Sequence, residues 1–137
     1  MIKRLSHIGI AVQELDSAIE LFGRLFDIKD VRKETVKDQL VRVAFFRLGE
    51  SSVELTAATA ADSPIAKYIA NRGEGVHHLS FDVDDIKGEI SRLKSKGFVM
   101  IDDVPRVGAG GCWIAFLHPK STNGVLIEIS QKSDAHT

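Results

Sequence analysis

Two stretches of the chain share one alternating pattern of large apolar residues and small or polar residues. They run from His7 to Val12 and from His78 to Val83, and each leads into an acidic segment. A period of two predicts a β-strand with one packed face. Each histidine falls on the parity of the small or polar residues, so we expect both histidines to point away from the packed layer. An open face that occurs twice and carries a histidine each time suits a ligand site.

The segments that follow the two histidine strands also share one order. Asp16 in the first half, and Asp84 and Asp85 in the second, predict the start of a helix with apolar residues at helical spacing. Three strand patterns follow each helix, at about 31–36, 40–48 and 53–56 in the first half and at about 98–101, 112–118 and 125–130 in the second. The order β-α-β-β-β therefore occurs twice, which predicts an internal structural repeat.

This repeat predicts an α+β fold in which two βαβββ units share one sheet. Between the two units, Ser63 and Pro64 predict the start of a connecting helix, with Ser63 as its N-cap. We expect a single domain over residues 1–137: repeat one at about 3–57, a connector helix at about 58–75, repeat two at about 76–131, and a frayed polar tail at 132–137.

The composition of the chain argues against several classes of function and location. The chain has 137 residues, 44% of them hydrophobic, and a formal net charge of −1, which argues against a nucleic-acid partner. No segment approaches the roughly 20 apolar residues of a membrane span, and the start of the chain lacks the pattern of a signal peptide. Cys112 is the single cysteine, so an intrachain disulfide is excluded. We expect a cytoplasmic protein without a membrane partner.

Two glutamates occupy equivalent positions in the last strand of each repeat. Glu54 and Glu128 each stand between two large apolar residues, so they face the surface that carries His7 and His78 if those neighbours pack inward. A solvated outer face would explain one such glutamate, but not two that pair with two repeat-related histidines. Two imidazoles and two carboxylates around a dication form a neutral site that suits Co, Mn, Ni, Fe(II) or Zn. We therefore predict that these four residues bind a metal ion.

Several motifs resemble the methylmalonyl-CoA epimerases, a family of the vicinal oxygen chelate (glyoxalase/bleomycin resistance/dioxygenase) superfamily. The resemblance covers the chain from His7 to Glu128, and its more specific parts are Asp62 to Ala66, Gly73 to His78, and Gly108 to Ser121. It implies a curved mixed sheet around a metal site, with helices on the convex face. It also implies that the metal ligands are His7, Glu54, His78 and Glu128, and that the chain forms a homodimer.

The activity that this resemblance implies is the interconversion of (2R)- and (2S)-methylmalonyl-CoA, a CoA thioester. A proton is removed alpha to the thioester, through an enolate that the metal stabilises. Co²⁺ is the first expectation for activity, with Zn²⁺, Mn²⁺ or Ni²⁺ as alternatives. The catalytic residue that matches the family is Glu128. A second acid/base group is needed on the other face of the substrate, but Arg42 stands near where some relatives have that acid, so the second group stays unassigned.

Three other functions remain open. Glyoxalase I (lactoylglutathione lyase) uses the same types of ligand and also moves a proton beside a metal ion. An extradiol dioxygenase would need two histidines and one carboxylate on Fe(II), so Glu54 counts against it. A non-catalytic small-molecule-binding module of the same fold is the third. Among the remaining residues, we expect His77 to pack rather than to bind metal. Arg106 and Lys120 are candidates for contacts with CoA phosphates, although scattered basic residues are more often simply solvated.

Overall fold

The protein forms two compact units in a computed structural model that describes residues 1–133. The first-repeat unit comprises residues 8–77, and the second-repeat unit combines residues 1–7 with the chain from residue 78 onward. Strand β1 (Ile2–Ala11) therefore contributes to both units. The single-domain organisation remains a prediction, and residues 134–137 of the predicted tail lie outside the described residues.

The first-repeat unit packs one helix against an antiparallel arrangement of strands. After β1 come α1 (Leu15–Phe26), β2 (Arg32–Val36), β3 (Val41–Leu48), β4 (Ser51–Ala58) and α2 (Pro64–Arg72). Strand β3 pairs antiparallel with both β2 and β4. The buried core between α1 and these strands consists of Val12, Leu15, Ala18, Ala44, Phe46, Leu55 and Ala57. Burial of this apolar face stabilises the unit, because α1 alone is too short to be stable in water.

The ends of the two helices in this unit depend on side-chain caps. Helix α2 begins as predicted: the Ser63 hydroxyl accepts a hydrogen bond from the Ile65 amide at 3.2 Å, and Pro64 occupies the first turn. The prediction that Asp16 starts α1 is wrong. The Glu14 carboxylate accepts hydrogen bonds from the Asp16 and Ser17 amides, at 3.3 and 2.7 Å, so the helix begins one residue before Asp16.

The second-repeat unit has the same construction but a mixed sheet. Its elements are β5 (Gly75–Val83, of which the first three residues belong to the other unit), α3 (Ile86–Ser95), β6 (Arg106–Val107), β7 (Trp113–Leu117) and β8 (Ile127–Gln131). Strand β8 pairs parallel with β5 and antiparallel with β7, and β6 pairs antiparallel with β7. The buried core under α3 consists of Val83, Ile86, Ile90, Leu93, Ala115, Leu117 and Ile129. The α+β class and the repeated β-α-β-β-β order are confirmed.

One strand of the second repeat lies elsewhere than predicted. The segment at 98–101 makes only an isolated bridge between Met100 and Leu117, and the strand is instead Arg106–Val107, where a loop was expected. The Phe98 amide is used at the end of α3, where it donates to the Leu93 carbonyl at 3.0 Å. It follows Gly97, whose φ of 94° permits this left-handed helix end. The Ile101 amide still donates to the Phe116 carbonyl at 2.8 Å, so the bridge at Met100 is the part of the predicted strand that forms.

None of the helices in the described part of the chain is both long enough and apolar enough to span a membrane.

Candidate metal centre

Three side chains of the second-repeat unit converge on one point. His7 comes from β1, His78 from β5 and Glu128 from β8, and their ligand atoms all lie within 4.8 Å of one another. The Nε2 atoms of the two histidines are 3.0 Å apart, and Glu128 Oε1 is 3.4 Å from His7 Nε2. Because side chains alternate along a strand, the parity of the sequence pattern is what directs each of these residues to the same face.

Much of this face is buried, although His78 itself is half-buried. His7 is 9% exposed, Glu128 is 5% exposed and Ser80 is fully buried. The Phe116 ring packs against His78 with the ring centroids 5.6 Å apart, and Phe116 pairs directly with Glu128 across β7 and β8. An aromatic side chain from the neighbouring strand therefore borders this face, and the open face stays a prediction.

Burial changes the charge of both kinds of ligand. Burial lowers the pKa of His7 to about 4, so this imidazole is neutral at pH 7 and can offer a lone pair. Burial raises the pKa of Glu128 to about 7; the Ser80 hydroxyl and the charge of Arg106 favour the carboxylate and oppose this rise, while the charge of Asp102 adds to it. A carboxyl group with a pKa near neutrality is suited to accept and return a proton.

The polar atoms of this cluster fit a divalent cation. Glu128 Oε1 is buried and has no hydrogen-bond partner among the residues that the structure describes. A buried acceptor without a hydrogen-bond partner destabilises a fold by about 1–3 kcal/mol. A cation bound to this oxygen would remove that cost. Two imidazole nitrogens and a carboxylate oxygen are the donors that Co²⁺, Zn²⁺, Mn²⁺ and Ni²⁺ accept.

The fourth predicted ligand, Glu54, belongs to the first-repeat unit. It is half-buried in β4 and pairs with Phe45 of β3, just as Glu128 pairs with Phe116. The two glutamates are therefore structurally equivalent within their repeats. Its membership of the ligand set remains a prediction.

The residues set aside by the sequence pattern have other surroundings. His77 packs edge to face against Tyr68, with the ring centroids 4.7 Å apart, and burial lowers its pKa to about 4. This agrees with a packing histidine. Arg42 is exposed on β3 opposite Ala57, and the second acid/base group stays unassigned.

Three residues near the cluster were not singled out as functional in the sequence. Ser80 pairs in register with Glu128, but the sequence pattern showed it only as a small residue of the histidine face. Phe116 could have been found, because its parity in the strand differs from that of the core residues Ala115 and Leu117. Asp102 lies in a loop, and no pattern in the sequence pointed to its contacts.

Comparison with known proteins identifies the family. Residues 6–116 match the Glyoxalase/Bleomycin resistance protein/Dioxygenase superfamily. The chain belongs to this superfamily. That result confirms the superfamily named from the histidine strands, in which the same repeated fold carries several chemistries.

Individual relatives give a finer comparison. The chain is 38% identical over 134 residues to the uncharacterized protein YqjC of Bacillus subtilis, covering 97% of this chain and 96% of the relative. It is 35% identical to the ethylmalonyl-CoA/methylmalonyl-CoA epimerase of Cereibacter sphaeroides, covering 96% and 99% of the two chains. A solved variant of the Streptomyces coelicolor methylmalonyl-CoA epimerase, in complex with 2-nitronate-propionyl-CoA, superposes with a TM-score of 0.93 at 34% identity and covers 98% and 97%. The resemblance to the methylmalonyl-CoA epimerases, which are isomerases, is therefore confirmed.

The relatives of the chain also include proteins named as lactoylglutathione lyases, at lower identity than the epimerases. A probable lactoylglutathione lyase of Vibrio cholerae is 26% identical over 133 residues, covering 97% of this chain and 94% of the relative.

Proposed function

We propose that this chain is a metal-dependent methylmalonyl-CoA epimerase. The observation that carries the proposal is the convergence of His7, His78 and Glu128 within 4.8 Å, in a chain whose relatives at 33–35% identity are named as epimerases of this thioester. The metal ligands in this proposal are these three residues together with Glu54, and Co²⁺ is the first candidate ion. Zn²⁺, Mn²⁺ and Ni²⁺ are the alternatives.

The proposed reaction requires a group that takes a proton from the carbon between the thioester and the carboxylate. Glu128 has this role, since it is the glutamate that matches the family and its carboxyl group is buried in the cluster; in the metal-free protein burial raises its pKa to about 7. His7, whose imidazole burial keeps neutral, and His78 would supply the nitrogen ligands that hold the cation beside this carboxyl group. A divalent cation at this point supplies electrostatic stabilisation of the negative charge that develops on the thioester oxygen.

Burial of the carboxyl group supports the same chemistry. Phe116 packs against His78, and Glu128 is 5% exposed, so little water reaches the carboxyl group. Exclusion of water strengthens the electrostatic interactions at the reacting carbon. Epimerisation also needs a proton donor on the opposite face of the substrate, and this proposal assigns no residue to it.

The test is proton exchange in D₂O. Protein loaded separately with Co²⁺, Zn²⁺, Mn²⁺ or Ni²⁺ is mixed with (2R)-methylmalonyl-CoA and with (2R)-ethylmalonyl-CoA, and NMR follows the α-proton and the loss of stereochemical purity. We expect exchange with at least one metal, and loss of exchange in Glu128→Gln at equal metal loading. Absence of exchange with all four metals would overturn the proposed activity.

Two rivals are tested in parallel. The hemithioacetal of glutathione and methylglyoxal is the substrate that glyoxalase I would isomerise, and faster turnover of this compound than of the thioester would favour the lyase. Tight binding of a ligand with no turnover of either substrate would favour a binding module. Light scattering at several protein concentrations measures the homodimer that the family resemblance implies.

A further inference from the structure

Arg106 contacts the Phe116 ring, and this ring in turn contacts His78 of the metal-centre cluster (His7, His78 and Glu128). Its guanidinium carbon is 5.7 Å from the centre of the Phe116 ring, and the ring centroids of Phe116 and His78 are 5.6 Å apart. The positive charge of Arg106 also favours the ionised form of Glu128, although burial opposes that form. Arg106 is thus the cation of this unit whose field acts on the site of the proposed chemistry.

The side chain is held so that part of its guanidinium stays available. Arg106 Nε donates to Asp102 Oδ1 at 3.1 Å, and the other oxygen of Asp102 accepts from the Phe116 amide at 2.9 Å. Asp102 is therefore fixed by the backbone of β7, and it fixes Arg106 in turn. Within residues 1–133, no hydrogen bond joins the two Nη nitrogens of Arg106 to the protein, and the side chain is 43% exposed.

We propose that Arg106 forms an anion subsite beside the metal centre, in which its Nη nitrogens bind the free carboxylate of the substrate. The inference rests on the proposed function, in which the substrate carries a carboxylate on the reacting carbon. A planar pair of N–H donors matches the two oxygens of a carboxylate, and a partly desolvated guanidinium binds such a group more strongly than an exposed one. The subsite explains how a malonyl thioester is distinguished from a thioester without the second carboxylate.

The alternative partner for Arg106 is a phosphate of CoA. The pantetheine arm separates those phosphates from the thioester by many bonds, whereas Arg106 lies beside the residues that would hold the reacting acyl group. Position therefore favours the carboxylate. The two partners differ in a measurable way, because every acyl-CoA carries the phosphates and only some carry the carboxylate.

The first repeat contains a counterpart that provides a control. Arg32 lies over the Phe45 ring at 3.9 Å, and Phe45 pairs with Glu54. Its ion-pair partner is Glu34, at 3.8 Å, and its side chain is 63% exposed. Arg32 is therefore less desolvated and less firmly held than Arg106. Arg32→Gln removes the same charge from beside the corresponding ring, Phe45, of the other repeat.

Calorimetry of methylmalonate binding to Co²⁺-loaded protein tests the subsite without CoA and without catalysis. We expect Arg106→Gln to weaken binding by about 10- to 100-fold, as the loss of charge-assisted hydrogen bonds does. Arg106→Lys should recover part of this loss, and Arg32→Gln should stay within about twofold of the parent. Undetectable binding by the parent, or a loss confined to Arg32→Gln, would overturn the subsite.

Asp102→Asn separates anion binding from a structural role. The amide oxygen of Asn can still accept from the Phe116 amide, but it no longer competes for the guanidinium with a negative charge. An anion subsite predicts that this variant binds methylmalonate as tightly as the parent or more tightly. If Arg106 serves only to hold Asp102, Asp102→Asn and Arg106→Gln should weaken binding alike, which would contradict the proposal.

Two thioester ligands distinguish the substrate carboxylate from the CoA phosphates as the partner of Arg106. Arg106→Gln should weaken the binding of methylmalonyl-CoA and leave that of propionyl-CoA within about twofold, because only the former carries the carboxylate. Equal weakening of both would assign Arg106 to the phosphates and overturn the proposal. Methylmalonate binding that depends on Arg106 in a protein that fails the D₂O exchange test would retain the subsite and reject the epimerase.

Discussion

The imidazoles of His7 and His78 present their Nε2 atoms to each other at 3.0 Å, with their ring planes at 89°. A hydrogen bond between two neutral imidazoles requires a proton on one of these nitrogens, whereas a cation requires the lone pairs of both. A bound cation would therefore require that proton on the Nδ1 atom of the same ring. The Nδ1 atom of His7 lies 3.2 Å from the Ser6 hydroxyl, which can accept a hydrogen bond from it.

Ser6→Ala should weaken metal binding without changing the ligands. In the tautomer of His7 that a metal would need, the hydroxyl accepts from the Nδ1–H group, and loss of such a partner typically lowers metal affinity by about tenfold or more. Calorimetric titration with Co²⁺ measures the effect. Ser95→Ala is the matched control, since the Ser95 hydroxyl donates to the Arg92 carbonyl at the end of α3. Equal affinities in the two variants would show that Ser6 does not orient His7.

Metal affinity should rise with pH and then level off. Burial raises the pKa of Glu128 to about 7, so below that pH a cation must displace a proton from this carboxyl group. His7, with a pKa of about 4, stays neutral over the same range. We expect affinity to increase with pH between about pH 5 and 7, with Glu128 contributing about one released proton per metal at about pH 6.

Calorimetry in two buffers of different ionisation enthalpy counts these protons. Glu128→Gln should remove the release, because its amide carries no titratable proton. A release that persists in this variant would locate the proton elsewhere and would reject Glu128 as its source.

Glu128→Gln should also stabilise the metal-free protein at alkaline pH. The folded pKa of Glu128 lies above its usual value of 4.5, so the folded state binds the proton more tightly than the unfolded state does. Ionisation therefore destabilises the fold: the effect is absent below about pH 4.5 and complete above about pH 7. A shift from 4.5 to about 7 corresponds to about 3 kcal/mol in the free energy of unfolding. We expect a gain of up to that size at about pH 8 and little gain at about pH 5, measured by urea denaturation.

A second buried glutamate of the same unit provides the control. Glu89 is 3% exposed, and Arg92 Nη2 donates to its carboxylate at 2.9 Å. Glu89→Gln removes a charge-assisted pair, so it should lower the free energy of unfolding by about 1–3 kcal/mol. The two glutamines should thus act in opposite directions at about pH 8. A loss of stability in Glu128→Gln comparable to that in Glu89→Gln would show that the Glu128 carboxylate is well solvated or paired.

The sequence was sufficient to predict the fold class and the three converging ligands, for an identifiable reason. Strand parity places His7, His78 and Glu128 on one face, and the repeat makes coincidence improbable. Burial of His7 and Glu128 was not predictable, because parity gives the face to which a side chain points and not what packs against it. The same holds for the strand at Arg106–Val107, because the sequence pattern does not show which segment pairs along β7.

Contacts of charged side chains between distant segments could also not be predicted from the sequence. Asp102 contacts the Phe116 amide and Arg106 at once, although none of these residues belongs to a recognisable motif. Glu14 rather than Asp16 caps α1, because both are acidic and only the backbone path decides which carboxylate reaches the free amides. In the sequence alone, several residues are equally plausible partners for each of these contacts, and only the folded backbone decides among them.

Gly108→Ala should destabilise the loop that follows Arg106. A Cβ atom at Gly108 would lie 2.7 Å from Cδ1 and 2.9 Å from Cγ2 of Ile114, which is 3% exposed in β7. The φ of Gly108 is −115°, so backbone strain does not contribute and the effect is steric. We expect a loss of about 1–3 kcal/mol in the free energy of unfolding, as is typical for overpacking.

A double-mutant cycle with Ile114→Ala identifies the cause of this loss. The single change Ile114→Ala removes buried apolar surface and should itself be destabilising by about 2–5 kcal/mol. If the new methyl group and Ile114 compete for one space, the double variant should be more stable than the sum of the two losses predicts, by about 0.5–3 kcal/mol. Simple additivity would mean that the loop moves away from β7 instead. In that case Arg106, two residues earlier, would move with it, and methylmalonate binding by Gly108→Ala would fall together with its stability.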